Sequence, residues 1–287
     1  MAIVVNTNID SLRVQRNLNS ASTNMSKAIE RLTTGSQVNQ AADDAAGFVI
    51  AKGLEAQQRG SVVAQDNAQT GINLLQTAEG NLDVIQDHLL RIRDLTLQAM
   101  NGGYSYDEVK AMEDEVLART AEIDRISNGA KFNEFELFPV GGTDPLVLQI
   151  GSNSDEATNT ISVEGVFTEA TVSVLTGRTG NPIKFTDGVS DVVDLTEFRQ
   201  ILDDLDTGIK EISTRRGTIG AITNRLNSAV EALDIQNENL LAAKSRIVDA
   251  DIGQESSNYT QYQILQQASA SLLVQANQSP SIALSLI

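Results

Sequence analysis

The chain has 287 residues, enough for one or two domains. Aromatic residues make up only 4% and tryptophan is absent, which favours narrow helix seams filled by Leu, Ile and Ala over the compact core of an enzyme. The formal net charge of −17 argues against binding to nucleic acid or anionic lipid, because phosphate binding needs a basic surface. The absence of cysteine excludes disulfides and thiol chemistry.

Neither a membrane span nor a cleaved signal is expected. No run of about 18 apolar residues occurs in the sequence. The N-terminus lacks a basic segment, and its first cation is Arg13. Taken alone, these observations indicate a cytoplasmic protein without membrane insertion.

The first regular pattern predicts an amphipathic helix of modest hydrophobicity. Its apolar residues recur every three or four positions and are Val14, Leu18, Ala21, Met25, Ala28 and Leu32. Residues 33–35 (Thr-Thr-Gly) interrupt it, and the small, acidic residues 41–47 predict a joint.

A second helix follows, with apolar positions at 72, 75, 78, 82, 85, 89, 92, 95 and 99. We expect it to stop at the glycines of Asn101-Gly102-Gly103. Ser105 and Glu108 then form a predicted capping box, which opens a third helix. The apolar residues of that helix are Val109, Met112, Val116, Ile123 and Ile126.

The composition changes from about residue 130, where phenylalanine and proline become frequent. Residues 146–150 and 161–163 flank a polar turn and are predicted to pair as a hairpin. Residues 171–174 alternate between polar and apolar, as a strand does. A small β-containing insertion is therefore expected, and we expect it to lie on the surface, as insertions usually do.

The most regular stretch runs from Leu195 to Ile247 and opens with a helix-start signal at Asp194 and Glu197. Its apolar residues are at 202, 205, 209, 212, 219, 222, 226, 229, 233, 240, 243 and 247. The spacing predicts a helix of roughly 75 Å that needs a partner helix. If Arg216 is counted in the repeat, the spacings 216–219 and 219–222 are both three residues. Two such spacings in a row predict a local stammer in the repeat and a bend beside Gly217 and Gly220.

The pattern breaks after residue 247, and a last amphipathic helix is predicted to end at Pro280. Its apolar residues are Ile264, Leu265, Ala268, Leu272, Leu273 and Ala276.

Each predicted helix carries its apolar residues along one side, as a stripe that has to be covered by another helix. Pairing these stripes predicts a mainly α fold class: an elongated antiparallel helical bundle or coiled coil with paired terminal helices and a small β-containing insertion. Three domains are predicted. Residues 1–45 and 248–287 form an inner terminal-helix domain, and residues 46–139 and 194–247 form the helical bundle. Residues 140–193 form a short variable β-rich insertion.

Few side chains point to chemistry. His88 lies one position off the stripe of the second helix and has no partner in the sequence for general-base chemistry, so a solvated histidine is the preferred interpretation. Asp249, Asp251 and Gly253 are spaced like the start of a calcium loop, but the third acidic position and the closing glutamate are missing, so a helix break is expected. Asp43 and Asp44 are predicted to be a solvated or capping pair.

No phosphate-binding loop, nucleotide fingerprint or metal-spaced cluster occurs in the sequence, so no catalytic residue, cofactor or metal is expected. The glycosylation triplets at Asn24, Asn258 and Asn277 lie in or beside predicted helices, and without a secretory signal we do not expect them to carry glycans.

Both ends of the chain contain a series of specific motifs. The N-terminal motifs are Asn6–Asn8, Ala28–Gly35, Ala42–Gly47, Thr77–Leu82, Glu122–Ser127 and Lys131–Asn133. The C-terminal motifs are Ala243–Asp251, Gln263–Ala268, Gln275–Gln278 and Leu284–Leu286. In this order they resemble the two ends of bacterial flagellin. The resemblance covers about residues 1–138 and 200–287, and the middle segment matches no known pattern.

The resemblance implies a structural subunit, not an enzyme, that self-assembles into the bacterial flagellar filament. Paired terminal helices would line the inner tube, the bundle would form the outer tube, and the joints at 33–47 and 248–255 would connect them. Flagellins are exported by the flagellar type III apparatus with an export chaperone and without a cleaved signal. The expected location is therefore the extracellular filament, in contact with the filament cap and hook-associated proteins. The side chains expected to pack the filament core are Leu18, Met25, Leu32, Ile264, Leu265, Leu272 and Leu273.

The stretch from Leu90 to Gln98 resembles the flagellin segment recognised by Toll-like receptor 5. Arg91, Leu95 and Gln98 match that pattern, and Glu115 matches its acidic partner. Leu90 departs from it, because recognised forms carry glutamine there. A solvated helix face, with Asp87 and Arg91 as an i,i+4 pair, is the alternative.

The sequence leaves two other protein classes as alternatives to a filament subunit. A flagellar hook–filament junction protein would share flagellin-like ends. An intracellular coiled-coil scaffold would share the heptads, but it would not need weakly hydrophobic terminal helices or a joint beside each of them. An enzyme would need a convergent polar pocket, which the sequence does not indicate.

Overall fold

The computed structural model describes residues 7–142, 145–178, 182–186 and 192–284, with side chains to residue 278. The elements in this part of the chain are α1 (Ile9–Thr34), α2 (Ala45–Ala99), α3 (Tyr106–Gly129), β1 (Lys131–Phe132), β2 (Phe135–Glu136), β3 (Leu146–Gln149), α4 (Glu156–Asn159), β4 (Thr160–Val163), α5 (Val172–Leu175), α6 (Leu195–Val248) and α7 (Ile252–Leu284). The prediction of a mainly α chain with a small β insertion is confirmed.

Local capping sets the ends of the helices. The Asn8 side chain accepts a hydrogen bond from the Ser11 N–H (3.0 Å) at the start of α1, and Gly35 ends that helix with a φ of 68°, which a residue without Cβ adopts freely. The predicted capping box is present at α3, where the Ser105 N–H donates to Glu108 Oε2 (2.8 Å). The prediction that Pro280 ends the last helix is wrong, since α7 continues to Leu284. Proline has a helical φ, but it removes one backbone hydrogen bond and its ring crowds the carbonyl four residues earlier. A proline inside a helix therefore costs about 3 kcal/mol without necessarily ending the helix.

The chain divides into two compact units. The terminal unit comprises residues 1–58 and 238–287, and the central unit comprises residues 59–237. The division into three domains remains a prediction.

In the central unit, α2 lies antiparallel to α6. Three polar contacts show the register: Gln65 Nε2 to Asp234 Oδ1 (2.8 Å), Arg93 Nε to Asp206 Oδ1 (2.6 Å) and Arg216 Nη1 to Gln86 Oε1 (2.7 Å). Helix α3 packs antiparallel to the last turns of α2. All nine predicted stripe positions of α2 are buried, so this stripe is confirmed.

The buried stripe on α6 agrees with the predicted one in part: positions 205, 212, 219, 222, 226 and 233 are buried as predicted, and positions 198, 201, 208 and 215 are buried although they were not predicted. Its buried positions are 198, 201, 205, 208, 212, 215, 219, 222, 226 and 233, which follow alternating steps of three and four up to residue 226. Leu202 and Ile209 are only half-buried, and Gly208 and Arg215 occupy core positions. The predicted stammer is wrong, because a stripe that includes Arg215 has no interruption and α6 continues through Gly217 and Gly220.

The hairpin β3–β4 packs on α2 at residues that come before the segment of α2 in contact with α3. The strands form the predicted antiparallel hairpin, and its register pairs Leu148 with Ile161. The hairpin approaches α2 closely: a Cβ on Gly60 would lie 2.7 Å from Ser152 Cβ, and a Cβ on Gly71 would lie 2.6 Å from Leu148 Cδ1. Glycine at these two positions therefore allows the sheet to pack on the helix.

The insertion is part of the core of the central unit, so the expectation that it lies on the surface is wrong. Its buried apolar side chains are Ile161, Val163, Val166, Phe167, Ala170, Val172, Leu175, Ile183 and Phe185. The Phe185 ring lies 5.2 Å from the Phe198 ring of α6. Residues 172–175 form the helical turn α5 instead of a strand: Val172 and Leu175, three positions apart, are buried, whereas Val174 is 48% exposed.

Polar side chains of the helices satisfy the irregular backbone of the insertion. Glu113 Oε2 accepts hydrogen bonds from the N–H groups of Phe185 and Thr186, both at 2.7 Å. Arg215, which is 5% exposed, donates to the carbonyls of Thr168 (3.0 Å) and Glu169 (3.2 Å). Buried backbone groups need such partners, so these side chains fix the path of the insertion.

We expect Arg215→Met to destabilise the central unit by about 2–4 kcal/mol, because it leaves the partly buried carbonyls of Thr168 and Glu169 without a donor. The neighbouring Arg216 forms a solvent-accessible ion pair with Asp83 (2.7 Å) and provides the matched control. Arg216→Met should cost less than about 1 kcal/mol in urea unfolding of the monomer. Equal losses in the two variants would contradict the anchoring role of Arg215.

Candidate assembly and recognition surfaces

The terminal helices α1 and α7 pair in antiparallel orientation, as the sequence predicts. At one end Asn8 Nδ2 donates to the carbonyl of Ala276 (2.7 Å), and the Ser11 hydroxyl donates to Asn277 Oδ1 (2.8 Å). At the other end Arg31 Nη1 lies 3.1 Å from Glu255 Oε1.

The apolar surface within this pair is small. On α1 only Ala21 and Ala28 are buried, and the predicted packing residues Leu18, Met25 and Leu32 are half-buried. Small side chains bury little area, so the pair gains little from its own seam.

The apolar side chains of α7 do not form one stripe against α1. The more protected positions of α7 are mostly polar, namely Glu255, Asn258, Tyr259, Tyr262, Gln266, Ser269, Leu273 and Ala276. Of the predicted packing residues, Leu273 lies on this face, whereas Ile264, Leu265 and Leu272 are exposed. Adjacent pairs such as 264–265 and 272–273 spread apolar side chains around the helix, which a count of three- and four-residue steps does not detect.

The exposed side of α7 has an unusual composition. No charged residue occurs from Ser256 to the end of the sequence, although the chain has a net charge of −17. The outward apolar side chains include Ile252, Ile264, Leu265, Leu272 and Val274, and α1 adds Ile9, Leu12 and Ile29. An uncharged surface with many large apolar side chains is typical of an interaction site.

The two joints beside the terminal helices bind each other. Ser36 and Asp249 form an antiparallel bridge, and the Gln37 N–H donates to the carbonyl of Val248 (2.7 Å). Asp251 Oδ1 accepts from the Gly253 N–H (2.8 Å) at the start of α7. The predicted helix break at 249–253 is therefore confirmed, and Asp251 acts as a helix cap.

Of the predicted solvated or capping pair Asp43 and Asp44, Asp44 caps α2 and Asp43 closes the preceding turn. Asp44 Oδ1 accepts from the Gly47 N–H (3.0 Å) at the start of α2. Asp43 Oδ2 accepts from the Gln40 N–H (3.1 Å), and this hydrogen bond is the largest cause that lowers the pKa of Asp43 below its ordinary value.

A second candidate surface lies where α3 crosses α2. Arg91 Nε is 3.1 Å from Glu115 Oε1, and Arg119 Nη2 is 2.8 Å from the same oxygen. Arg91 therefore pairs across the two helices, and the alternative i,i+4 pair with Asp87 is not formed. The hydrogen bond from Arg91, followed by the one from Arg119, lowers the pKa of Glu115.

The sequence-predicted residues of this surface separate into two groups. Arg91 and Gln98 are exposed and Glu115 is partly so, and Gln98 Nε2 donates to the Tyr104 hydroxyl (3.0 Å). Leu95 is only 2% exposed and belongs to the core. A receptor that binds the intact fold cannot use the Leu95 side chain as a surface contact.

Sequence reasoning did not identify Arg119 or the role of His88. Arg119 Nη1 lies 3.3 Å from His88 Nδ1, so the histidine is part of a polar network at the α2–α3 crossing. It is half-buried, so the predicted solvated histidine is only partly exposed to solvent and has a partner on α3. The i,i+4 spacing of Glu115 and Arg119 was a signal for the second pair, but the contact with His88 depends on how the helices pack.

The described residues give little basis for other chemistry. They contain no group of three or more His, Cys, Asp or Glu side chains placed to hold a metal. No helix among them has a stretch long and apolar enough to cross a membrane. A concavity of about 820 Å³ beside β4 and α6 contains Glu156, Glu164 and Arg225 with hydroxyl side chains, and no histidine.

Comparison with known proteins matches both ends of the chain. The bacterial flagellin N-terminal helical region matches residues 5–140, and the bacterial flagellin C-terminal helical region matches residues 202–287. A flagellin of Halalkalibacterium halodurans is 35% identical over 99% of this chain and 100% of its own length. A flagellin of Bacillus subtilis is 36% identical over 99% of each chain. The crystal structure of Bacillus cereus flagellin aligns with a TM-score of 0.47 at 26% identity, covering 62% of this chain and 94% of that one.

The lowered pKa of Glu115 predicts a pH-dependent contribution to stability. A carboxylate with a folded pKa below its ordinary value of 4.5 stabilises the fold above that value, and the contribution disappears as the pH falls through the folded pKa. We therefore expect the unfolding free energy of the Glu115→Gln monomer to fall less than that of the wild type on acidification below pH 4.5.

Glu134→Gln is the matched control, because among the described residues the exposed Glu134 makes no ion pair. Urea unfolding at a series of pH values measures the difference. If the two variants show the same pH dependence, the Arg91–Glu115 pair does not contribute to stability.

Proposed function

The chain belongs to the bacterial flagellin family and is a structural subunit of the flagellar filament, and we propose that it polymerises through the outward faces of α1 and α7. The observation that carries the proposal is the outer surface of α7, which has no charged side chain from Ser256 on and exposes Ile264, Leu265, Leu272 and Val274. The relatives that match along nearly the whole chain are flagellins, which favours a filament subunit over a junction protein or an intracellular scaffold.

The energetics of the terminal unit support this surface. Exposed leucine and isoleucine side chains gain about 1.5–3 kcal/mol each when they are fully buried. Neighbouring subunits would supply that burial for Ile264, Leu265 and Leu272, since α1 covers a different face of α7. The half-buried Leu18, Met25, Leu32 and Leu273 would support the same core from within each subunit.

We expect Leu272→Gln to raise the critical concentration for polymerisation at least about tenfold, because a loss of about 1.4 kcal/mol per contact already gives that factor. Sedimentation and electron microscopy of seeded monomer measure it. Leu195→Gln is the matched control, because Leu195 is 50% exposed and Leu272 is 53% exposed, but Leu195 lies in the central unit.

Circular dichroism of both monomers checks that they remain folded. An unchanged critical concentration for Leu272→Gln, or an equal effect of Leu195→Gln, would contradict a polymerisation surface on α7.

The same proposal includes the route to the filament. We infer that the chain is exported unfolded by the flagellar apparatus with a chaperone and joins an extracellular filament that carries cap and hook-associated proteins at its ends. Two features support export: the chain has no cysteine that could crosslink, and the terminal helices bury few large side chains against each other.

A second proposed function is recognition of the monomer by Toll-like receptor 5. It is supported by the exposed Arg91 and Gln98 and the partly exposed Glu115, which match the recognised flagellin pattern. Leu90 stands where the recognised forms carry glutamine and is 42% exposed, so reduced potency is expected. Leu95 would contribute by holding α2 in the core.

We expect Arg91→Ala to reduce receptor activation at least about tenfold, since a guanidinium in an interface is a frequent hot spot. Arg125→Ala is the control, because Arg125 also forms an exposed ion pair on α3, with Glu122 (2.6 Å). Dose–response curves in reporter cells measure the effect on monomers shown to be folded. Unchanged activation by Arg91→Ala would favour a solvated face without a receptor role.

A further inference from the structure

The connection between α2 and α3 contains an asparagine followed by glycine, and we propose that Asn101 is a site of spontaneous deamidation in the folded protein. Asparagine is among the thermally labile residues. The reaction requires the backbone nitrogen of the next residue to reach the side-chain amide carbon, so local structure decides its rate. The sequence contains this pair twice, at Asn101-Gly102 and at Asn128-Gly129.

The surroundings of Asn101 leave the reacting groups accessible. Asn101 and Gly102 are exposed and lie after the end of α2. Within the described part of the chain, the Asn101 side-chain amide makes no hydrogen bond and the Gly102 N–H has no acceptor. The attacking nitrogen therefore does not have to break a protein hydrogen bond first.

The direction of the side chain and the space around it fit the same reaction. Asn101 Oδ1 lies 3.9 Å from the position that a Cβ would take on Gly103, so the side chain is folded over the backbone that follows it. Apart from its two chain neighbours, no residue has an atom within 4 Å of the position that a Cβ would take on Gly102. Gly102 brings no side chain of its own to shield its nitrogen.

The chemistry needs only water. The Gly102 nitrogen forms a bond to Asn101 Cγ, and the side-chain nitrogen leaves as ammonia with the proton that the Gly102 nitrogen loses. The product is a five-membered succinimide that joins the two residues. Water then adds to one of its two carbonyls and opens the ring, giving aspartate or isoaspartate, with no change in oxidation state.

The second pair is a control built into the molecule. Asn128 and Gly129 are also exposed, but both lie in the last turn of α3. Helical N–H groups donate to carbonyls four residues earlier, so the Gly129 nitrogen has to leave the helix before it can react. Opening of the helix end therefore precedes the reaction at Asn128 but not at Asn101.

Deamidation at Asn101 would alter a structurally sensitive position. It adds a negative charge near the C-terminal end of α2, where the helix dipole favours cations, and near Asp107 and Glu108 in the first turn of α3. An isoaspartate also lengthens the backbone by one carbon beside the hydrogen bond from the Tyr104 N–H to the Asn101 carbonyl (3.4 Å). In a filament whose subunits remain in place, the modification would accumulate with the age of each subunit.

The test is incubation of the full-length monomer in mildly alkaline buffer, followed by peptide mapping with mass spectrometry and by enzymatic methylation of isoaspartate. We expect Asn101 to deamidate at least about tenfold faster than Asn128 in the native protein, a ratio that corresponds to about 1.4 kcal/mol of helix opening. In concentrated urea the two sites should react at similar rates, because the helix that protects Asn128 is lost.

Gly102→Ala is the matched variant, because Gly102 does not have a positive φ and has open space for a methyl group. It keeps Asn101 and should slow its deamidation at least about tenfold by shielding the nitrogen, while Asn128→Ala should leave the rate at Asn101 unchanged. Equal native rates at the two asparagines, or no slowing in Gly102→Ala, would overturn the proposal. The outcome does not depend on polymerisation.

Discussion

The antiparallel register between α2 and α6 is the constraint on which the central unit depends. Polar pairs along the two helices match it, from Gln65 with Asp234 to Arg93 with Asp206. The apolar seam follows the same register, because every buried position of α6 up to Leu226 is three or four residues from the next. Displacing the helices by one residue would separate these pairs and turn Arg215 away from the carbonyls it binds. Register and insertion are thus specified together.

The sequence allowed the helices to be predicted well, because capping and stripe signals are local. Ser105 with Glu108 and Gly35 mark helix ends by interactions within a few residues. The insertion could not be predicted, because its fold depends on partners that are distant in sequence. Glu113 and Arg215 are charged residues that a periodicity count treats as solvent-facing, and only packing shows that they hold buried backbone groups.

Some residues of the candidate surfaces were predicted correctly and others were not, for a similar reason. Resemblance to flagellin identified Arg91 and Glu115, and the structure pairs them across two helices. It also carried over Leu95, which the stripe of α2 already assigned to the core. For α7 the stripe placed Ile264 and Leu272 on a packed face, but the helix is apolar on several sides and α1 covers only one of them. A sequence pattern identifies apolar residues without identifying which partner covers them.

The contrast between the two units suggests how folding and polymerisation are coupled. Large side chains such as Leu82, Ile85 and Phe198 are completely or almost completely buried in the central unit, which therefore has a core that needs no neighbour. The seam of α1 buries only two alanines, so the terminal helices gain little from each other. Any partner that binds a folded state stabilises it in proportion to the logarithm of its concentration over its dissociation constant. If neighbouring subunits cover the outward faces of α1 and α7, as proposed, their binding would add stability to the terminal unit, whereas the central unit already has a core of its own.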